Sequence, residues 1–276
     1  MKKKICVLFA LTIALTGCTP TGEESKQEKQ YPEIAPTFSY RFRKSAYRDN
    51  YMEVESFVVG NDYLLELNVS NSRTEYSFAY QEDISFSYNE NDFEIFPLFA
   101  WAEGTKTDCF QYVVRAKAIT TNTAITFKYL DAEILKVEKP VRECSTKLSY
   151  YRYDTVANVS PIEDDHDYHQ KITLVKSAAE LSNYLNLTSG FLTPDDAFFA
   201  ENNLLYITLM WRPSNYSYKN YFIDNNTVYF RIVGPKYYMN SDSFIEDFTF
   251  TTFVFVIGKT DCDTYQNFDV WYNYAR

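Results

Sequence analysis

Phe57-Val58-Val59-Gly60-Asn61-Asp62-Tyr63-Leu64-Leu65-Glu66-Leu67-Asn68-Val69 decides how the first half of this chain folds. Phe57 to Val59 is apolar throughout, Gly60-Asn61-Asp62 has turn chemistry, and Tyr63, Leu65, Leu67 and Val69 then recur with period two. Period two places alternate side chains on one face of a strand, so the stretch predicts strand, turn, strand. The same alternation extends in both directions. Before it come Phe38, Tyr40 and Phe42, then Met52, Val54 and Ser56. After it, Ser70 to Thr74 reads as a turn, and Tyr76, Phe78 and Tyr80 alternate, followed by Ile84, Phe86 and Tyr88. Phe110, Tyr112 and Val114 predict a later strand, and Ile125, Phe127 and Tyr129 another beyond Thr120 to Thr123. Short strands between polar turns, without a helix signal, predict an antiparallel β-sandwich over residues 37–143, with an immunoglobulin-like topology as a candidate. The Cys–Trp–Cys pattern of antibody domains is absent.

The pattern changes near Lys139-Pro140, and residues 144–276 predict a smaller α+β domain. Lys171 to Val175 reads as a strand. Ser177-Ala178-Ala179-Glu180 has the form of a capping box, and Leu181, Tyr184 and Leu185 supply the buried face of a helix to about Asn186. Thr193-Pro194-Asp195-Asp196 opens a second helical turn, with proline suited to the first helical position. Leu204 to Met210 is an apolar strand. Asp224-Asn225-Asn226-Thr227 joins two strands as a hairpin, Phe248 to Ile257 adds another strand, and Phe268 to Tyr274 reads as an edge strand.

Composition limits what the protein does. Aromatic residues make up 18% of the chain while glycine numbers seven, which favours strands over phosphate-cradling loops. The formal net charge is −10. A polyanion lacks the cations that neutralise phosphates, so nucleic acid is excluded as a partner.

The first residues read as an address. Lys2, Lys3 and Lys4 precede an apolar run from Ile5 to Leu15, which is shorter than the roughly 20 residues a spanning helix needs. Leu15-Thr16-Gly17-Cys18 then resembles the lipobox of bacterial lipoprotein precursors. The resemblance implies diacylglycerol on the Cys18 sulfur, cleavage of residues 1–17, and a palmitate-bearing chain on the outer side of a bacterial membrane. Residues 18–36 carry no large apolar side chain before Tyr31 apart from the anchor cysteine, and read as a flexible tether. Removing 1–17 takes away three lysines and no acid, so the mature chain is expected at −13.

Three cysteines remain after Cys6 and Cys18: Cys109, Cys144 and Cys262. Cys109 with Cys144 is the preferred disulfide because both fall in the same domain when the boundary, which lies between about Pro140 and Ser149, is drawn after Cys144, while Lys-Thr-Asp-Cys at 106–109 and again at 259–262 leaves Cys144 with Cys262 open. The run Val175 to Leu181, then Phe198-Phe199, then Leu204-Leu205-Tyr206-Ile207 resembles the C-terminal domain of protease-complex-inhibitor-type lipoproteins. That likeness implies inhibition or regulation of a protease. Trp211-Arg212-Pro213-Ser214-Asn215 stands where that family has a glycine-rich segment.

Candidate chemistry is sparse. Glu163-Asp164-Asp165-His166-Asp167-Tyr168-His169 holds both histidines, and Asp165, His166 and His169 suit zinc, the one cofactor the sequence offers. The same run reads as a solvated acidic loop. There is no Gly-x-Ser-x-Gly elbow and no dinucleotide or Walker loop, so catalysis finds no motif. Trp211, Tyr216 and Tyr218 form an aromatic stretch suited either to a protein or glycan partner or to core packing. The sequence therefore predicts a membrane-anchored binding protein of unknown ligand, with protease regulation and a metal-dependent hydrolase as alternatives.

Overall fold

The computed structural model describes residues 36–43, 51–70, 84–103, 107–154, 170–184, 194–211, 216–234 and 249–274. Tyr76, Phe78 and Tyr80, together with the tether, lie outside them. The fold is β-rich, with several antiparallel sheets and three short helices among the described residues. No described helix is long and apolar enough to cross a membrane.

The first half is built on a five-stranded antiparallel sheet. Its strands are β1 (Thr37–Arg43), β2 (Tyr51–Met52), β4 (Asp62–Ser70), β6 (Phe93–Glu103) and β7 (Thr107–Ala116), in the order β2-β1-β4-β7-β6. The alternation in β4 works as expected, since Tyr63, Leu65, Leu67 and Val69 all enter one core with Tyr112 and Val114 of β7. Facing them is a second sheet, β5 (Ile84–Ser87), β8 (Ala124–Tyr129) and β9 (Ala132–Glu138), which adds Ile84, Ile125, Phe127 and Val137 to that core. Pro97 sits in β6, where the pairing shifts between Pro97 and Phe99. Because β6 is an edge strand, the missing N–H costs no interior ladder bond. β3 (Phe57–Val58) pairs in parallel with β10 (Val141–Arg142).

The second half stacks three layers. A four-stranded antiparallel sheet has the order β11-β16-β13-β12, from β11 (Tyr151–Asp154), β12 (Gln170–Val175), β13 (Asn202–Trp211) and β16 (Thr249–Gly258). One face, through Leu204, Tyr206, Val254 and Val256, receives Leu181 of α1 (Ala178–Tyr184) and Phe199 of α2 (Asp196–Glu201). The other face packs against β14 (Ser217–Asp224), β15 (Thr227–Gly234) and β17 (Asn267–Tyr274). The first helix is capped as the sequence predicts, and the second is capped later than predicted. Ser177 Oγ accepts from Glu180 N at 3.1 Å, and the Glu180 carboxylate accepts from Lys176 N at 2.7 Å. Asp195 caps α2 by accepting from Phe198 N at 2.9 Å, so Pro194 stands before the cap and not at the first helical position. Asn225 (φ 45°) and Asn226 (φ 62°) form the β14–β15 turn with the left-handed geometry that twisted hairpins favour.

Two features depart from expectation. β17 is an edge strand as predicted, but it joins no meander: it pairs in parallel with β15, and its residues from Val270 to Tyr274 are buried. The second Lys-Thr-Asp-Cys is helical, in α3 (Lys259–Thr264), whereas Thr107 to Cys109 is strand. The tetrapeptide is thus no structural repeat. In α3, buried Asp261 accepts from Ser149 N and Tyr150 N, both at 2.8 Å, and so ties down the connection between the halves.

β14-β15-β17 has two buried faces. Ile223, Val228, Phe230, Ile232, Val270 and Tyr272 face the second-half core. Their alternates Phe222 and Trp271 belong to the first-half core. Between them, polar residues of this face grip the Gly60–Asp62 turn. Trp271 Nε1 donates to Asp62 O at 2.9 Å, Asn273 Nδ2 donates to Gly60 O at 2.9 Å, and Arg231 donates to Asn61 Oδ1 at 2.6 Å and Val59 O at 2.8 Å. The fully buried Asp62 carboxylate takes both Arg115 Nε and Nη2 at 2.7 Å and the Tyr274 N–H at 2.8 Å.

Removing one member of a buried ion pair strands the other, at a cost of about 3–5 kcal/mol. Asp62→Ala is therefore expected to lower the urea midpoint by that much stability with no change in slope. A loss below about 1 kcal/mol would mean the pair behaves as a surface bridge.

Candidate functional site

The two halves meet around a cleft of about 580 Å³. One wall is Met52 to Ser56, the segment leaving β2, with Val58, Asn61 and Tyr63 beyond it. The other wall is Phe222, Asp224, Asn225, Tyr229 and Trp271 from β14, the hairpin, β15 and β17, with Arg142 of β10 between the walls. The aromatic floor is ordered by its own contacts. Phe222 stacks on Tyr229 at 5.0 Å between centroids, and Trp271 meets Phe222 edge-on at 5.7 Å and Tyr229 at 5.8 Å. Tyr229 is half-buried and lines the cleft.

Arg142 bridges the walls. Its Nη2 donates to both Asp224 oxygens at 2.8 Å, its Nε to Ser56 Oγ at 2.6 Å, and its Nη1 to Cys144 Sγ at 2.7 Å. Burial pulls the guanidinium's pKa down, but Asp224 and the neighbouring thiol more than offset it and the net direction is up. Both Asp224 oxygens are thereby occupied. Glu53 and Glu55 are different: both are exposed and make no hydrogen bond or ion pair among the described residues. The cleft thus has an aromatic floor, one Arg–Asp pair and two exposed carboxylates without a partner among the described residues. This arrangement equips the cleft to recognise a ligand.

Deeper in the cleft, Tyr63 is 2% exposed and its hydroxyl accepts from Val58 N at 2.7 Å. Burial pushes the phenol up from 10.0 to about 12, opposed by the Val58 N–H, the Asn61 amide and Arg142. Asn61 is fully buried. Its Oδ1 is taken by Arg231, while its Nδ2 lies beside the Tyr63 hydroxyl without reaching hydrogen-bond geometry and has no partner.

The residues singled out from the sequence fall elsewhere. Cys18, Asp165, His166 and His169 lie outside the described residues, and among those that are described no three His, Cys, Asp or Glu side chains gather as a metal site. The expected Cys109–Cys144 disulfide is not formed, and Cys109, Cys144 and Cys262 are all free. Period two explains it. On β7, Phe110, Tyr112 and Val114 enter the core, so Cys109 points to the opposite face, where Glu66 lies beside it, whereas Cys144 packs on the core side. Burial raises all three thiols, with Glu66 adding to the effect at Cys109 and Asp224 at Cys144, so none is a ready thiolate. Tyr216 and Tyr218 pack against the second-half core, with the Tyr218 ring 5.0 Å from Phe255 and its hydroxyl 2.5 Å from that of Tyr151. Trp211 ends β13 opposite Thr249. The cleft residues carry no sequence signal, because they come from segments as far apart as Met52 and Trp271.

Comparisons with protein-family models, with curated proteins and with solved structures return no match for this chain.

The raised Tyr63 phenol makes a pH prediction. The native state keeps this proton above pH 10, where the unfolded state releases it, so stability falls as pH rises from 10 to about 12. Stability measured by urea across that window should decline less steeply in Tyr63→Phe than in the wild type. Equal slopes would mean that Tyr63 ionises at its ordinary value.

Proposed function

We propose that this chain is a membrane-anchored extracytoplasmic lipoprotein, held through diacylated Cys18, that acts as a non-catalytic binding protein. The cleft between its halves is the binding site. The architecture that goes with this reading is a β-sandwich domain over 37–143, immunoglobulin-like in topology, and an α+β domain over 144–276.

One observation carries the binding reading. The cleft has the volume of a small-ligand site, about 300–1,000 Å³, and combines a packed aromatic floor with a few polar groups. Arg142, Asp224, Ser56 and Cys144 satisfy one another, so those walls are set before any ligand arrives. A pre-set site loses less affinity to ordering than one that must assemble. The anchor half of the reading rests on the basic start, the short apolar run and the Leu15-Thr16-Gly17-Cys18 box. Two acyl chains hold a protein stably where one binds only marginally.

Two experiments test the two halves. Cys18→Ser should move the chain from the membrane fraction to the soluble fraction and abolish incorporation of labelled palmitate; retention in the membrane would end the lipid-anchor reading. A thermal-shift panel of short peptides, amines and oligosaccharides should contain compounds that stabilise the wild-type chain by about 2–4 kcal/mol near saturation. That shift should vanish in Tyr229→Ala, and a panel with no Tyr229-dependent ligand would count against the cleft as the site.

A further inference from the structure

Resting on the reading of the cleft as a binding site, we infer that its ligand is a neutral saccharide, with a sugar ring against Tyr229 and hydroxyls bonded to Ser56, Asp224 and Asn225. Charge, the floor and hydrogen-bonding capacity each point to that class.

Charge narrows the choice first. Arg142 is the one cation that lines the cleft among the described residues, and its guanidinium already meets both Asp224 oxygens at 2.8 Å. An anionic ligand would find that cation matched and would face the exposed carboxylates of Glu53 and Glu55. A cationic ligand would draw on those two carboxylates, but exposed pairs contribute little and are screened by salt. Discrimination therefore falls to the side chains held in place by the Arg142 network, and these suit a ligand without net charge.

The floor adds a planar apolar element. Tyr229 and Met52 are half-buried and line the cleft. The Tyr229 ring is held by Phe222, stacked at 5.0 Å, and by Trp271, edge-on at 5.8 Å, so its orientation is set before a ligand arrives. A pyranose carries a face of C–H groups that packs on the electron-rich face of an aromatic ring, while its hydroxyls project from the edge. The cleft volume of about 580 Å³ lies within the range of small-ligand sites.

Hydrogen-bonding capacity separates a saccharide from an amine. Ser56 Oγ accepts from Arg142 Nε at 2.6 Å, and an accepting hydroxyl keeps its own O–H to donate. Each Asp224 oxygen accepts one N–H from Arg142, and a carboxylate oxygen has lone pairs for two such bonds. The Arg142 and Asp224 side chains keep 40% and 22% of their surface exposed, so the network is pre-set and still within reach of a ligand. Asn225, exposed at the hairpin tip, adds an amide that both donates and accepts. The lining thus mixes donors and acceptors around one ring. Adjacent sugar hydroxyls each donate and accept and so answer such a set, whereas an ammonium group only donates.

The test is an array of neutral and acidic glycans probed with the full-length chain, followed by calorimetric titration of the best-bound glycan and of acetyl-tetralysine amide. Neutral members should bind, and sialylated or uronic-acid members should not. Affinity for the bound glycan should fall about three- to tenfold in Ser56→Ala and in Asn225→Gly, the loss of one hydrogen bond each. Glycine keeps the left-handed turn that Asn225 makes at φ 45°, so that variant removes the amide alone. Affinity should change less than about twofold in Ser87→Ala, which removes an exposed hydroxyl on β5 outside the cleft, and should hold within the same margin as salt is raised. Unchanged urea midpoints in these variants show that the fold is intact. Equal affinity in the wild type, Ser56→Ala and Asn225→Gly would overturn the inference, since the glycan would then sit elsewhere. Acidic glycans bound as tightly as neutral ones would also overturn it. Tyr229-dependent binding of tetralysine, or of a peptide or amine in the thermal panel, with no glycan bound would leave the cleft as a site and remove the saccharide. The absence of Tyr229-dependent binding by any compound would remove both.

Discussion

The buried turn at Gly60–Asp62 is the constraint from which the rest of the arrangement follows. Asn61 and Asp62 are fully buried, and a buried backbone group must find a partner or cost free energy comparable to a lost hydrogen bond. Neighbouring chain satisfies part of the demand: Gly60 N donates to Ala116 O at 2.9 Å, and Asn61 O accepts from Ala116 N at 3.2 Å. The rest falls to residues more than 150 positions away. Val59 O, Gly60 O, Asp62 N and Asp62 O are met by Arg231, Asn273 and Trp271. Gly60 is at φ +81°, a conformation L side chains rarely adopt, which lets the turn present its carbonyls to those donors. Once the turn is fixed, the position of β14-β15-β17 against the first half is fixed, and with it both walls of the cleft.

That three-stranded sheet explains how a chain with so many aromatics partitions them. Odd and even positions on each strand serve different cores. Val270 and Tyr272 enter the second-half core, and Trp271 enters the first. A sheet with one wet face tolerates a register slip better than this one does, because here a slip of one residue puts Arg231 and Asn273 into an apolar core and leaves the turn unsatisfied. Arg231 shows how finely this is balanced. Burial lowers its pKa, its direct hydrogen-bond partners are neutral oxygens, and the Phe222 ring lies 4.5 Å below its guanidinium. It persists there because nothing else on that face carries enough donors to serve Asn61, Val59 and Asn220 together.

Much of the local structure was legible for local reasons. The Gly60-Asn61-Asp62 turn, the alternation in β4, the cap at Ser177 and the Asn225-Asn226 hairpin each rest on residues within a few positions of one another. What escaped was either unusual locally or set by distance. Leu130 at φ 48° and Asp131 at φ 66° make the β8–β9 turn without glycine or asparagine, and Pro97 sits within a strand. Thr-Asp-Cys is strand at 107–109 and helix at 260–262, so the tetrapeptide holds no preference strong enough to resist its surroundings. The cleft was illegible altogether. Arg142 and Asp224 are 82 residues apart, and no spacing rule connects a guanidinium on one strand with a carboxylate at the tip of a distant hairpin. The disulfide expectation failed for a related reason: belonging to the same half says nothing about which face of a sheet a side chain occupies.

The side chains of the cleft divide between those engaged with the scaffold and those on its exposed rim. Arg142, Asp224, Tyr63 and Trp271 are engaged with the scaffold: changing Tyr63 or Trp271 leaves a gap in a core, and changing Arg142 or Asp224 breaks a partly exposed ion pair between the walls. Glu53 and Glu55 have no such duty, since they cap no helix, pair with no cation among the described residues and sit on the solvent side of Val54. Substitutions at sites with no shared partners act nearly independently. Substitutions at Glu53 and Glu55 are therefore expected to leave undisturbed the turn that holds the halves together. A fixed frame with an exposed rim is what the proposed binding role requires, since the frame would set the shape and the exposed side chains the choice of ligand.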